Sequence, residues 1–306
     1  MKLRKILVLI LASFLLTSCS LPGLSENVKK DIVIAAANDS ERQILAEIDK
    51  QMIEHYSDLN VHVINNLGST TLIHTTMLKG EINMASGMYT GTSLTGELGM
   101  EPITDPELAL KTVQEEYLKR YNRVWFSSYG FENTYAFMVR EDFAKEHNLK
   151  KVSDLEKLKD TIRVGVDTAW MDRKGDGYEG FKEKYGFSFK KIYPMDLGLL
   201  YSAVKNNEMD VVLGYSTDGR IKSYDLIMLE DDRHLFPSYD CSVVATSEVL
   251  DLHPEVIDIM NILTGKITTE KMQEMNKKAA EDLIEPKIVA RDFLRENNYF
   301  EKDVKR

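Results

Sequence analysis

The chain has 306 residues, a formal net charge of -10 and 43% hydrophobic residues. That length holds enough apolar material for two domains, each with its own core. The acidic balance excludes the basic footprint that nucleic-acid binding needs; charges of both signs are mixed along the chain, which serves solubility.

The first residues, "MKLRK", are basic, and "ILVLILASFLL" is an apolar run too short for a comfortable transmembrane helix. It ends in "LTSC", at Cys19. Residues 1–18 therefore read as a bacterial lipoprotein signal, cut before Cys19. The cysteine is expected to carry several acyl chains, which anchor where one chain binds only marginally. An ordinary secretory signal that ends in cysteine is the alternative. Residues 19–30 are polar, with Pro22 and Gly23, and read as a tether. Cys241 is then the one thiol left, so no intramolecular disulfide can form. In "YDCSVV" it reads as a small buried residue.

The folded body is expected from Asp31. "DIVIAAA" reads as a buried strand. "SERQILAEIDKQMIEHY" follows as a helix with Ile44, Leu45, Ile48 and Met52 on one face and Ser40 as its N-cap. "NVHVIN" is a strand, "STTLIHTTMLKG" a helix closed by Gly80, and "EINMASG" a strand. Strands alternating with helices predict an α/β domain with a largely parallel sheet. "DPELALKTVQEEYLKRY" is an amphipathic helix, and "VWFSSYGFENTYAFMVR" reads as extended. "VSDLEKLKD" carries a capping box, Ser153 with Glu156. "IRVGVD" and "MDVVLGY" are strands, with "YEGFKEKYG" and "LGLLYSAVKNNE" as helices between them, a second α/β unit. After the strand "SVVATSEVL", the chain is helical from His253 onward. These closing helices bring no new strand and are expected to return to the first unit, making it discontinuous.

Two stretches share a pattern. "LKGEINMASGMYTGT" and "VKNNEMDVVLGYSTDG" each run from a helix end through an acidic residue into a short strand, then reach Tyr89 or Tyr215 and small polar residues. "NTYAFMV" and "PSYDCSVV" likewise place Tyr135 and Tyr239 just before an apolar strand. A lone strand-end tyrosine usually serves packing, and most of the 14 tyrosines must do so. Repetition in two units is what distinguishes these four. In open α/β sheets ligands bind beyond the carboxyl ends of strands, so two lobes with matching tyrosines could close on one ligand.

Other motifs fail on position or chemistry. "GDGYEG" fits G-x-G-x-x-G but does not follow the first strand of a βαβ unit. "DRKGDGYEGFKE" half-matches a calcium loop through Asp172, Asp176, Gly177 and Glu183, yet Lys174 stands where an oxygen ligand is required. A charged surface turn is the reading kept. The six histidines do not cluster and no H-E-x-x-H occurs, which argues against zinc. "GTSLTG" is not the G-x-S-x-G elbow. No cofactor, metal or catalytic group is expected, and a binding protein is the default. Tyrosine faces attract cations, above all quaternary ammonium groups, which cannot donate hydrogen bonds. At about 0.5 to 2 kcal/mol per contact, four rings supply a large share of the roughly 8 kcal/mol behind micromolar affinity.

At these residues the chain resembles the substrate-binding lipoproteins of osmoprotectant ABC transporters, of the OpuCC/OpuBC type. The resemblance covers nearly the whole mature chain. It is carried by "NLGS", "YTGT", "SYGFENTYAF", "YPMDLGLLY", "YSTDGRIKSY" and "FPSYDCS". It implies an α/β, two-lobed periplasmic-binding-protein-like fold of type II, with the ligand in the interlobe cleft. Lobe I is expected over 31–136 and 241–306, and lobe II over 137–240. The family binds glycine betaine, carnitine, choline and related compounds in an aromatic cage, which carries over to Tyr89, Tyr135, Tyr215 and Tyr239. In choline-restricted relatives the position of Thr92 is acidic, and a carboxylate there repels the carboxylate of betaine or carnitine. Thr92 is neutral, which favours those zwitterions. Where some relatives carry a tail-binding glutamine, this chain has Ala37; Asn38, Ser40, Asn65 and Asn66 are the substitutes considered, since a helix N-terminus favours anions.

The expected role is an extracytoplasmic receptor, lipid-anchored on the outer face of the cytoplasmic membrane, at the surface of a Gram-positive cell. It would pass a quaternary amine to an ABC permease driven by a separate ATPase. Two other readings remain open: the same fold binding an amino acid or polyamine, with Asp218 as acidic partner, and a secreted lipid-anchored enzyme.

Overall fold

The computed structural model describes residues 31–173 and 175–301. The expected signal, Cys19 and the tether lie outside the described residues.

The first sheet is built from β1 (Ile32–Ala35), β2 (Val61–Ile64), β3 (Met84–Tyr89), β4 (Arg123–Trp125) and β10 (Cys241–Thr246), in the order β2-β1-β3-β10-β4. β1 runs parallel to both neighbours, while β10 is antiparallel to β3 and β4. All of β1 is buried, as a central strand covered on both faces must be. Ile32 and Ile34 join the core under α1 (Ser40–Tyr56); Val33 and Ala35 join the opposite core, under α2 (Thr70–Leu78) and α4 (Pro106–Tyr121). The closing helices α11 (Glu255–Ile262), α12 (Thr269–Ala280) and α13 (Pro286–Glu296) bury Val256, Ile259, Met272, Met275, Val289 and Phe293 in the α1 core.

The second sheet contains β5 (Tyr135–Arg140), β6 (Arg163–Asp167), β7 (Lys191–Met195), β8 (Val211–Tyr215) and β9 (Leu226–Met228), in the order β7-β6-β8-β5-β9. Here β6 is parallel to β7 and β8, and β5 is antiparallel to β8. Each sheet thus sets one antiparallel strand beside its centre strand. The expected lobe II begins at 137, but β5 starts at Tyr135, so that boundary would cut a strand. Two stretches, 126–134 and 229–240, join the sheets. They run antiparallel through a bridge between Glu132 and Asp240, and the Asn133 N–H donates to the Tyr239 carbonyl at 3.2 Å.

Three local expectations change. The N-cap of α1 is Asp39, not Ser40: Asp39 has extended backbone, and its Oδ1 accepts from the Arg42 N–H at 2.9 Å. The Ser153–Glu156 box does not form. Val152–Leu158 is a 3₁₀ helix in which Asp154 accepts from the Lys150 and Lys151 N–H groups, and the Ser153 hydroxyl donates to Asp232 at 2.7 Å. The extended run after Asn122 divides into β4, a connection and β5, because β4 and β5 belong to different sheets. β7 was not anticipated: its residues are mostly exposed or half-buried, so no apolar pattern marks it.

Among the described residues, no helix is long and apolar enough to cross a membrane, and no group of three or more His, Cys, Asp or Glu is placed to hold a metal. Cys241 is buried and free.

Candidate functional site

Tyr89 is the last residue of β3 and Tyr215 the last of β8, the centre strands of the two sheets. Tyr135 is the first residue of β5, and Tyr239 stands two residues before β10. Tyr135 pairs with Tyr215 across β5 and β8, and Cys241 pairs with Tyr89 across β10 and β3. The internal sequence similarity therefore maps onto topologically equivalent strands. All four tyrosines line one cavity of about 940 Å³.

The rings are held individually. Tyr135 and Tyr215 lie with centroids 5.0 Å apart and planes 31° from parallel. Tyr215 is the most open of the four, at 37% exposure. The Tyr239 ring rests against Gly91 in α3 (Thr90–Thr95): an added Cβ there would stand 2.8 Å from Tyr239 Cε1 and 2.7 Å from the Ser238 carbonyl. The Tyr89 hydroxyl donates to Glu41 Oε1 at 2.5 Å, and the Tyr135 hydroxyl to Asp167 Oδ2 at 2.7 Å. The Tyr239 oxygen accepts from Arg173 Nη2 at 2.9 Å. Burial first, and the neighbouring carboxylate next, push the Tyr89 phenol well above its usual range; burial and the bond to Asp167 do the same for Tyr135. Both hydroxyls therefore stay protonated and donate.

Three arginines reach the cavity, each with its own carboxylate: Arg42 with Asp39 at 2.6 Å, Arg173 with Asp176 at 2.7 Å, Arg220 with Asp218 at 2.7 Å. The Arg173 guanidinium lies 5.5 Å from the Tyr135 ring centroid, and that of Arg42 lies 5.7 Å from Tyr89. Burial works to lower the basicity of Arg173, but Asp176 and Tyr239 outweigh it and keep the charge in place. Arg42 approaches because Gly87, at φ +68°, forms a bulge in β3 where a Cβ would meet Arg42 Cγ at 2.3 Å. The "DRKGDGYEG" stretch is thus not a plain surface turn: Asp176 is buried and holds Arg173 toward the tyrosines.

Of the tail candidates, Thr92 and Ser40 line the cavity. Asn38, Asn65 and Asn66 do not. Asn38 and Asn65 are exposed, and Asn66, in a left-handed turn at φ 66°, accepts from Gln43 Nε2 at 3.0 Å instead. Sequence reasoning missed Glu41, Arg42, Asn133, Arg173 and Asn276, all of which line the cavity. Glu41 sits at the start of α1 and collects donors from Tyr89, Asn133 at 3.0 Å and Asn276 at 2.8 Å. Those partners are far apart in sequence, so no spacing announces them. Arg173 has a signal, the acidic-basic glycine turn, but from sequence alone that pattern reads as a solvated surface turn.

The model of the substrate-binding domain of ABC-type glycine betaine transport systems matches residues 30–296. The "Carnitine transport binding protein OpuCC" of Listeria monocytogenes is 51% identical over 294 residues, 96% of each chain. The "Glycine-betaine-binding protein" of Pseudomonas aeruginosa is 30% identical, with 85% of each chain covered. A crystal structure described as a glycine betaine/carnitine/choline ABC transporter superposes with TM-score 0.86 at 46% identity, covering 89% of this chain and all of that one. The fold is accordingly of the periplasmic-binding-protein type, and the role is substrate binding for an ABC importer, outside the cytoplasm, rather than catalysis. The chain belongs to the family of substrate-binding domains of ABC-type glycine betaine transport systems.

Proposed function

We propose that this protein captures a quaternary-ammonium osmoprotectant, glycine betaine, carnitine or choline, in a cage formed by Tyr89, Tyr135, Tyr215 and Tyr239. The observation that carries this reading is the convergence of four phenol rings on one cavity: Tyr89 from the first sheet, Tyr135 and Tyr215 from the second, and Tyr239 from the connection that enters β10. A methylated nitrogen cannot be gripped by hydrogen bonds, but ring faces can replace part of its hydration shell. The cavity also offers cations for a ligand carboxylate: Arg173 sits among the rings, and Thr92 and Ser40 add hydroxyl donors. The Listeria relative's printed name, carnitine binding, agrees with such a zwitterion.

The two sheets with their helices form the lobes, with the crossings near Tyr135 and Tyr239 and β5 kept whole in the second lobe. Rings on both sides couple binding to closure, because the closed state gains contacts the open one lacks. Lipidated Cys19 holds the protein to the outer face of the membrane, and the ligand passes to a permease driven by a separate ATPase.

Calorimetry with glycine betaine, carnitine and choline tests the reading. Binding of at least one is expected, and Tyr215→Ala should weaken it by roughly tenfold or more, since a ring contact and its buried area are lost. No binding of any of the three would defeat the reading. An amino acid or polyamine is less well served: Asp218 is already engaged by Arg220 through bonds at 2.9 and 2.7 Å. Competition by lysine or spermidine would point to that alternative.

A further inference from the structure

Two of the four tyrosines donate their hydroxyl to a carboxylate, and they belong to opposite sheets: Tyr89 to Glu41, Tyr135 to Asp167. The arginines at the cavity are each matched by an aspartate, so those charges largely cancel. Glu41 is different. It is 5% exposed, and its hydrogen bonds come from neutral donors: Tyr89, Asn133 and Asn276. Both amides turn their Nδ2 toward it, while their Oδ1 atoms are buried with no hydrogen-bond partner among the described residues. That one-sided arrangement presents only donors to Glu41: burial raises its carboxyl above the usual range, and the hydrogen bonds from Tyr89, Asn276 and Asn133 work against that rise. Asp167 accepts from the Tyr135 hydroxyl and from the Ala169 N–H at 3.3 Å.

A phenol that donates to a carboxylate gains electron density on its oxygen and, through it, on the ring. In a partly desolvated pocket this polarisation is stronger than in water. We infer that Glu41 and Asp167 are positioning residues that act through Tyr89 and Tyr135, making one ring on each side of the cavity a better partner for a permanent cation. The inference rests on the reading that the cavity holds a quaternary ammonium, and it adds a reason why the site distinguishes that cation from a neutral group of the same shape. The charge sits behind the ring, where it cannot form an ion pair that would favour amines with N–H donors over methylated ones. Tyr239, whose oxygen accepts from Arg173, is polarised the opposite way.

The test uses the full folded domain, with Glu41→Gln and Asp167→Asn, which keep an acceptor for the phenol but remove the charge. Two probes are titrated: glycine betaine, and 3,3-dimethylbutanoate, in which carbon replaces the nitrogen. Each variant should weaken glycine betaine roughly five- to tenfold and leave the neutral-headed probe unchanged or bound more tightly. Equal loss of both probes would show a merely structural role and overturn the inference, as would unchanged betaine affinity in both variants. A double-mutant cycle adds a second readout: on a Tyr89→Phe background, Glu41→Gln should lose most of its effect. A full effect retained there would also overturn it. Wild-type protein that binds none of glycine betaine, carnitine and choline would defeat the reading of the site itself, a result separate from any variant's behaviour.

Discussion

Thr92 stands in the first turn of α3 and lines the cavity without a charge. A carboxylate at that point would face the carboxylate of betaine or carnitine, and like charges placed together in a binding site are costly. Thr92→Asp should therefore weaken glycine betaine by roughly tenfold or more and shift preference toward choline. Calorimetry with both ligands checks this, and unchanged betaine affinity would exclude the proposed role. A second residue bears on stability rather than binding. Asp49 of α1 is fully buried; burial holds its carboxyl up at about 7, although the Ser86 and Tyr129 hydroxyls donate to it. The folded state keeps a proton that the unfolded chain releases near pH 4. Asp49 thus contributes stability that is fully present below that pH and is lost as pH rises through 7, by about 1.4 kcal/mol per pH unit between the two values. Relative to wild type, Asp49→Asn should gain in Tm from pH 5 to pH 8; a difference that stays flat across that range would contradict the assignment. Side chains of both kinds show what sequence could reveal. The four tyrosines were legible because the same junction recurs. Glu41 and Asp49 were not, because a helix-face carboxylate looks solvated until its distant partners, Tyr89 and Asn276 or Ser86 and Tyr129, are folded onto it.

Short elements do much of the positioning. α3 brings Gly91 against Tyr239 and the Ser238 carbonyl, so a methyl group there has no space to enter. Gly91→Ala should displace the Tyr239 ring and the segment that leads into β10, at a cost of about 1–3 kcal/mol for overpacking. The expected result is a lowered Tm together with weaker betaine or carnitine binding, read by calorimetry on protein with native circular dichroism; unchanged affinity would mean that Tyr239 does not contact the ligand. α12 has a different task. Its Gln273 donates to the Ser216 carbonyl at 2.7 Å, and its Asn276 to the Thr217 carbonyl at 2.9 Å. Those carbonyls follow β8 of the second sheet, while Met272 and Met275 pack in the core of the first. One helix thereby ties both sheets together behind the cavity. Its existence was readable from apolar periodicity, as was that of α1 and α4. Its bridging contacts were not, because they depend on two polar side chains that look like ordinary surface residues. β7 escaped for the opposite reason, since an exposed edge strand carries little apolar pattern.

The two sheets repeat one plan, a centre strand flanked by an antiparallel partner, with a tyrosine near the meeting point of each pair. Alternating strands and helices made two α/β units accessible from the sequence, along with the return of the closing helices to the first core; the antiparallel partner in each sheet was not, since the alternation points to a largely parallel sheet. The pairing of 126–134 with 229–240 was less accessible, because non-local bridges such as Glu132 with Asp240 leave no periodic mark. The molecule gathers rings from both halves around one cavity, so neither half alone supplies the four tyrosines of the proposed cage. A crystal structure of the complex with glycine betaine or carnitine tests this most directly. The methylated nitrogen is expected within about 6 Å of the ring centroids of Tyr89, Tyr135, Tyr215 and Tyr239, with the ligand carboxylate turned toward Arg173 or Thr92. A ligand bound elsewhere, with those four rings packed only against their own sheets, would contradict it.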